Sequence, residues 1–244
     1  MIEIRGLHKR FGDKPVLGGV DLTIPDGEAL VIAGRSGCGK TVLLKSVIGL
    51  IRPDRGSIRI DGEDITVMGR KDLYRVRMKF GMLFQGAALF DSMTVEENVG
   101  LPLREHTRMP WPAIRRKVEE KLELVGLPGI GATKPAELSG GMRKRVGLAR
   151  ALMRDPSIIL YDEPTTGLDP LTSVKINDLI AEMNDRLRIT SIAVTHDMLS
   201  AFKIGKRIAM LHEGRVAFDG SVREFRRSAD PMVRRFLEYQ RDGI

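Results

Sequence analysis

The stretch that decides the fold is Gly34-Arg35-Ser36-Gly37-Cys38-Gly39-Lys40-Thr41. It matches the pattern G-x-x-x-x-G-K-[ST] of a phosphate-binding loop, which connects a buried strand to a helix. The apolar run at residues 29–33 predicts that strand, and residues 41–48 predict the helix. The alternative is a glycine-rich turn with a chance lysine, which would not require these two flanking elements.

The chemistry of phosphate binding explains the spacing of this loop. Glycines let the backbone curl until successive N–H groups point at phosphate oxygens. The helix that starts here adds the positive end of its dipole. Lys40 is predicted to pair with the β- and γ-phosphates, and the Thr41 hydroxyl to bind Mg²⁺.

Bulk properties limit the classes of protein. The chain has 244 residues, of which 42% are hydrophobic, so we expect a globular core. Its apolar runs are too short to span a membrane, and its first residues show no signal-peptide pattern.

The single cysteine, Cys38, excludes an internal disulfide and fits a reducing cytosol. Cys38 is either a modification site or a small residue that fits the loop. The net charge of +8 suits a nucleotide, a nucleic acid or an anionic membrane without choosing among them.

The order of the patterns predicts an α/β fold in which a P-loop NTPase parallel sheet is the core. Alternating residues in 1–30 and 57–62 predict a small antiparallel β subdomain at the N-terminal end. Helical spacing from about 86 to 155 predicts an inserted helical subdomain. We therefore expect one main domain at residues 1–220, followed by a helical extension at 221–244. The extension is predicted to pack on its own domain, on a second copy or near a membrane, and its short apolar face favours protein.

Two later apolar strands end in residues that suit phosphate chemistry. The strand at 158–162 runs into Asp162 and Glu163. Asp162 is predicted to hold Mg²⁺ with its water shell, and Glu163 to orient or deprotonate an attacking water. His196 follows the strand that ends in Val194-Thr195, where it can reach a γ-phosphate. A lone histidine is otherwise a surface or structural residue.

A second helix start resembles an anion site but has no lysine loop beside it. Leu138-Ser139-Gly140-Gly141-Met142 opens a helix with Ser139 as its cap, and its glycines leave N–H groups open. Within a single domain this helix start has no evident ligand. It would have one if it met a nucleotide held by another copy. Asp169 is predicted to cap a further helix, with Pro170 at its first position.

Together these motifs resemble the ATP-binding subunit of an ABC transporter over nearly the whole chain. The resemblance implies that Phe11 stacks on adenine, although tyrosine is common there. It implies that Gln85 senses Mg²⁺ and water near the contact with a membrane subunit. It also implies that Ser139-Gly140-Gly141 holds the γ-phosphate of ATP bound to a partner copy, that Asp169 links the two sites, and that His196 contacts the γ-phosphate. The cofactors implied are ATP and Mg²⁺.

Finer features are similar to the ATPases of Mla/Mce-type lipid transporters. These are the run from Leu138 to Val146, with Met142 where glutamine is common, and residues 84–92 and 230–237. This resemblance implies phospholipid trafficking at the cytoplasmic face of the bacterial inner membrane. The partners implied are a second copy, an integral membrane permease, a small cytosolic accessory subunit and an Mce-type substrate-binding protein.

Two alternatives remain open. One is the ATPase of a small-solute ABC importer, since nothing in this chain contacts the substrate. The other is an ABC ATPase acting on nucleic acid or ribosomes. Such proteins are expected to carry two ATPase sets in one chain or long coiled coils, and this chain has one set and no sustained heptads. We therefore expect no nucleic-acid partner.

Overall fold

The computed structural model describes residues 1–241, which form two β-sheets with helices packed around them. No helix in this range is both long enough and apolar enough to cross a lipid bilayer. The strands are β1 (Ile2–Phe11), β2 (Lys14–Ile24), β3 (Ala29–Ala33), β4 (Arg55–Ile60), β5 (Glu63–Asp64), β6 (Phe80–Leu83), β7 (Ile158–Asp162), β8 (Thr190–Thr195), β9 (Arg207–His212) and β10 (Arg215–Ser221). The α-helices are α1 (Lys40–Val47), α2 (Arg70–Arg77), α3 (Val95–His106), α4 (Trp111–Leu124), α5 (Gly140–Leu152), α6 (Pro170–Leu187), α7 (Met198–Ile204), α8 (Val222–Arg227) and α9 (Pro231–Arg241).

The larger sheet has six strands in the order β10-β9-β3-β8-β7-β6. Its strands β9, β3, β8, β7 and β6 run parallel, and β10 is antiparallel to β9. Every residue of β3, β7 and β8 is buried, as expected for parallel strands covered on both faces. Because the strands are parallel, the residues that follow β3, β6, β7 and β8 meet at one edge of the sheet. The predicted P-loop NTPase core is confirmed.

The smaller sheet is antiparallel, with strand order β2-β1-β4-β5. Its residues Ile2, Ile4 and Leu7 are buried in a core that the sheet shares with α1 and one face of the larger sheet. Strand β1 continues to Phe11 through irregularities in its pairing with β2. This extension brings Phe11 to the end of the smaller sheet.

The segment between β6 and β7 is mostly helical, with α3, α4 and α5 as its long elements. The predicted stripe of α4 is buried at Ile114, Val118 and Leu122. These side chains share one core with α5 and with the other face of the larger sheet, including Ile159 and Tyr161 of β7. Successive residues of β7 thus serve two cores, since Ile158 and Leu160 face the antiparallel sheet.

The C-terminal helices pack on their own chain. Val233 and Phe236 of α9 are buried in the core shared with the helical segment. The Arg35 guanidinium lies over the Tyr239 ring, 5.1 Å from its centroid, so α9 contacts the phosphate loop. Of the predicted extension at 221–244, residues 242–244 lie outside the described residues, and the boundary at 220 stays a prediction.

Candidate functional site

The phosphate loop crosses from β3 to α1 at the carboxyl edge of the larger sheet. Gly39 has a φ of 104°, and a Cβ there would lie 2.9 Å from the Val16 carbonyl oxygen, so glycine is required. Lys40 is buried and its Nζ donates to the carbonyls of Gly34 (2.8 Å) and Arg35 (3.2 Å). No side chain caps α1, so its first N–H groups remain available to an anion.

Phe11 and the loop line one open cavity of about 330 Å³. Phe11 is 51% exposed, which is unusual for a phenylalanine, and the Lys9 ammonium lies 5.5 Å from its ring centroid. Gly37, Lys40 and Thr41 also line this cavity. An exposed aromatic ring beside a phosphate loop suits a ligand that has both a flat base and phosphates.

Thr41 and Asp162 form the candidate magnesium pair. The Thr41 hydroxyl donates to Asp162 Oδ1 at 3.1 Å, although 121 residues separate them in sequence. Burial raises the pKa of Asp162, and the hydrogen bond from Thr41 opposes that rise. Two oxygen donors beside a phosphate site fit Mg²⁺, which binds one or two protein groups and fills its shell with phosphate and water.

Glu163 lies at the centre of a group of polar contacts. Its Oε2 is 2.9 Å from His196 Nδ1 and accepts from Thr166 Oγ1 at 3.3 Å. Its Oε1 is 3.6 Å from Lys40 Nζ. The Glu163 side chain is 12% exposed, whereas that of His196 is 45% exposed. The carboxylate therefore lies within reach of a ligand on Lys40, in the position that a base acting on water would need.

Glu163 also has an unusual backbone. Its φ of 48° is in the left-handed region, which is uncommon for a residue with a side chain. Its N–H donates to the Val194 carbonyl of β8 at 2.9 Å, and its carbonyl accepts from Lys144 Nζ at 3.3 Å. These two hydrogen bonds hold the residue from both sides.

Gln85 follows β6 at the same edge of the sheet, and its side chain is exposed. Its backbone carbonyl accepts a hydrogen bond from Lys144. The next turn contains Ala87 and Ala88, both with positive φ, whose carbonyls accept from Arg150. The loop that carries Gln85 is therefore fastened to α5 at several points.

The second predicted anion site lies where the start of α5 approaches Thr172 of α6. Ser139 caps α5 by accepting from Met142 N at 3.2 Å, and Asp169 caps α6 by accepting from Thr172 N at 2.9 Å. Hydrogen bonding from Thr172 lowers the pKa of Asp169. A Cβ on Gly141 would lie 2.6 Å from Thr172 Cγ2, so a glycine lets α5 approach α6.

The structure thus places the predicted residues in two groups. The first contains the contacts of Glu163 with Lys40 and His196 and the adjacent Thr41–Asp162 hydrogen bond. Phe11 shares a cavity with Lys40 and Thr41. The second contains Ser139, Gly140, Gly141 and Asp169, and none of these lines the cavity of Phe11. The catalytic, metal-binding and nucleotide-binding roles remain predictions. Burial raises the pKa of the Cys38 thiol, which favours the interpretation of Cys38 as a small residue.

Sequence reasoning missed Lys144. This lysine is 5% exposed and lies on the buried stripe of α5 with Leu148 and Leu152. Burial lowers its pKa to about 8, and the nearby Asp162 and Glu163 carboxylates oppose that shift. Lys144, Leu148 and Leu152 recur every four residues. A lysine in such a helical stripe with two leucines was the signal that would have identified it.

The chain matches the family model for ABC transporters over residues 17–166. It is 48% identical to the "Probable ribonucleotide transport ATP-binding protein mkl" of Mycobacterium leprae, over 99% of this chain and 70% of that protein. It is 41% identical to the "Intermembrane phospholipid transport system ATP-binding protein MlaF" of Escherichia coli K12, over 100% of this chain and 90% of that protein.

Solved structures show the same fold. A dimeric post-hydrolysis structure of the ATP-binding cassette MJ0796, bound to ADP and Pi, superposes with a TM-score of 0.83 at 34% identity. That match covers 91% of this chain and 99% of the other. The cbiO1 protein of Clostridium perfringens superposes with a TM-score of 0.85 at 29% identity, covering 99% of this chain and 96% of that protein.

Proposed function

This chain belongs to the ABC transporter family of ATPases, and from that premise we propose that it powers phospholipid trafficking as the ATP-hydrolysing subunit of a membrane transporter. The observation that carries the ATPase chemistry is the convergence of Lys40, Thr41, Asp162, Glu163 and His196 at one sheet edge. The observation that favours lipid is the match to MlaF along the full length of this chain.

The chemistry follows from the positions of the side chains. Lys40 pairs with the β- and γ-phosphates of ATP, and the open N–H groups of α1 bind their oxygens. Glu163 accepts the proton of the attacking water, and His196 contacts the γ-phosphate. Thr41 and Asp162, with Gln85, would hold Mg²⁺, which neutralises charge on the phosphates. Phe11 stacks on the adenine.

Two copies complete each site. Ser139-Gly140-Gly141 and Asp169 lie apart from the cavity of Phe11, so we propose that they complete the ATP site of a second copy. The dimeric form of the MJ0796 cassette supports this arrangement. ATP held between two copies favours the closed dimer because it binds that state more tightly, and hydrolysis removes the bridge.

A groove beside Gln85 suits the permease. It has a volume of about 510 Å³ and lies between β6, the loop after it, α3 and the end of α5. Phe84, Phe90 and Leu101 give it an apolar lining, and Phe90 is 50% exposed. We propose that a segment of an integral membrane permease docks here, which places the chain at the cytoplasmic face of the bacterial inner membrane.

An experiment has to decide whether the transported molecule is a phospholipid or a small solute. An Mce-type substrate-binding protein and a small accessory subunit are the further partners proposed for the lipid system. A small-solute importer is the second candidate, favoured by the ribonucleotide named in the 48% identical mkl protein. The substrate contacts lie on other subunits, so only the complex can distinguish the two.

The test is purification of the tagged chain from its native membranes in mild detergent, with mass spectrometry of bound proteins and lipids. Recovery of a polytopic membrane protein, an Mce-type protein and phospholipid supports the proposal. Recovery of a permease with a soluble solute-binding protein replaces lipid with a small solute. Recovery of ribosomes or DNA without a membrane protein refutes transport.

A matched pair of variants makes this test specific. Phe90→Asp places a charge in the groove and is expected to lose the permease while keeping ATP hydrolysis. Leu187→Asp introduces the same charge at an exposed leucine that does not line the groove, and it should keep the permease.

A further inference from the structure

Lys144 is a buried cation whose hydrogen-bond partners are backbone carbonyls. Its Nζ donates to the carbonyls of Gln85 and of Glu163, the second at 3.3 Å. Among the described residues, Lys40 and His196 rather than Lys144 contact the Glu163 carboxylate. Burying an ammonium is costly unless it is paired or well hydrogen-bonded, so this position calls for an explanation beyond packing.

The Glu163 carbonyl is the informative partner. Glu163 has a left-handed φ of 48°, a conformation that persists only where the surroundings enforce it. The bond from Lys144, a bond from the Thr166 N–H to the same carbonyl and the bond to Val194 hold its peptide groups on both sides. If the backbone relaxed, the carboxylate would move relative to Lys40 and His196, which now lie 3.6 Å and 2.9 Å from it.

We propose that Lys144 is a positioning residue that ties helix α5 to the Glu163 backbone and to the Gln85 loop. The inference rests on the proposed roles of Glu163 and Ser139. Ser139 caps the same helix five residues earlier, about 7.5 Å away along its axis. The end of α5 that meets the partner's ATP is therefore rigidly connected to the residue that fixes the catalytic carboxylate.

A purely structural role makes a different prediction. Arg145, the next residue of α5, donates to the Val125 carbonyl at 3.4 Å, at the end of α4 and away from the site. Arg145→Met removes a cation–carbonyl contact from the same helix without touching Glu163. It is therefore the matched control for Lys144→Met.

The experiment measures kcat and KM for ATP hydrolysis, nucleotide affinity and the thermal midpoint of the full chain. Lys144→Met is expected to lower kcat about 10- to 100-fold, because small misplacement of a catalytic group costs that much. KM and nucleotide affinity should stay within about twofold, since Lys40 and α1 are unchanged. Lys144→Arg, which keeps a cationic donor, should restore most of kcat, and Arg145→Met should leave kcat near that of the wild type.

A kcat within twofold of the wild type in Lys144→Met overturns the proposal, as does an equal loss of kcat in Arg145→Met. If Lys144→Met does not fold, Lys144→Gln, which can donate to one of the two carbonyls, is judged by the same criteria. Normal turnover in Glu163→Gln would instead refute the assigned role of Glu163, whatever Lys144 does.

Discussion

The ring nitrogen Nδ1 of His196 lies 2.9 Å from the carboxylate oxygen Oε2 of Glu163. The Lys40 ammonium approaches the other carboxylate oxygen at 3.6 Å. The ammonium and the imidazole are both groups that can bind phosphate. We expect a γ-phosphate bound as proposed to offer Lys40 and His196 a new partner, which would leave Glu163 free to accept a proton from water.

Glu163→Gln tests this arrangement directly. The amide keeps the size of the side chain and still contacts His196, but it cannot accept a proton. We expect ATP affinity to change little and kcat to fall by about 10²- to 10⁴-fold, the usual contribution of a general base. Phosphate release and equilibrium nucleotide binding measure the two quantities. Glu182→Gln, the same change on the exposed face of α6, is the control. Turnover near the wild-type rate would refute the assignment of Glu163 as the base.

The magnesium requirement is tested by the Thr41–Asp162 pair. Chelation with EDTA should abolish hydrolysis, and added Mg²⁺ should restore it. Thr41→Val removes the hydroxyl that lies 3.1 Å from Asp162, and it should raise the Mg²⁺ concentration for half-maximal rate by about tenfold or more. Thr41→Ser retains the hydroxyl and serves as the control. An identical Mg²⁺ dependence in Thr41→Val would remove Thr41 from the metal site.

The first group of site residues could be predicted because parallel strands impose a simple geometry. The apolar strand at residues 29–33 and the cap Asp169 with Pro170 were readable from local patterns, and the structure has both. Once the strands that end at Ala33, Asp162 and Thr195 are parallel, the residues after them must meet at one edge. That step needs topology alone and no knowledge of packing.

Contacts between elements that are distant in sequence could not be predicted in this way. The bonds from Lys144 to Gln85 and Glu163 depend on how far α5 lies from the sheet edge, which no local pattern records. The stacking of Arg35 on Tyr239 depends on where the last helix docks. The residues were visible in the sequence, but their partners were set by tertiary packing.

A shared ATP site predicts the behaviour of Ser139→Arg. The larger, charged side chain should block the partner's site, so hydrolysis should cease while each chain still binds ATP. Lys40→Ala should also be inactive, because it loses the lysine that pairs with phosphate. A mixture of the two inactive chains forms mixed dimers in which one site has both Lys40 and Ser139 intact. Measurable activity should return in that mixture, and sites that lie within single chains would leave it inactive.

The close approach of Gly141 to Thr172 predicts that Gly141→Ala lowers stability, although the same substitution usually raises it in helices. Gly→Ala inside an exposed helix is normally stabilising by up to about 1 kcal/mol. At Gly141 the added Cβ would lie 2.6 Å from Thr172 Cγ2, so we expect a loss of about 1–3 kcal/mol in the free energy of unfolding. Denaturant titration measures this change. Gly86→Ala is the control, because its φ is not positive and nothing lies within 4 Å of the new Cβ.

A second substitution shows whether the methyl group of Thr172 is the cause. Thr172→Ser removes Cγ2 but keeps the backbone N–H that donates to Asp169 Oδ1, so the cap of α6 survives. The double variant should recover most of the stability lost in Gly141→Ala, because residues in contact are not additive. If the two losses simply add, the contact between α5 and α6 does not explain the glycine. A contact other than that with Thr172 would then have to cause the loss of stability in Gly141→Ala.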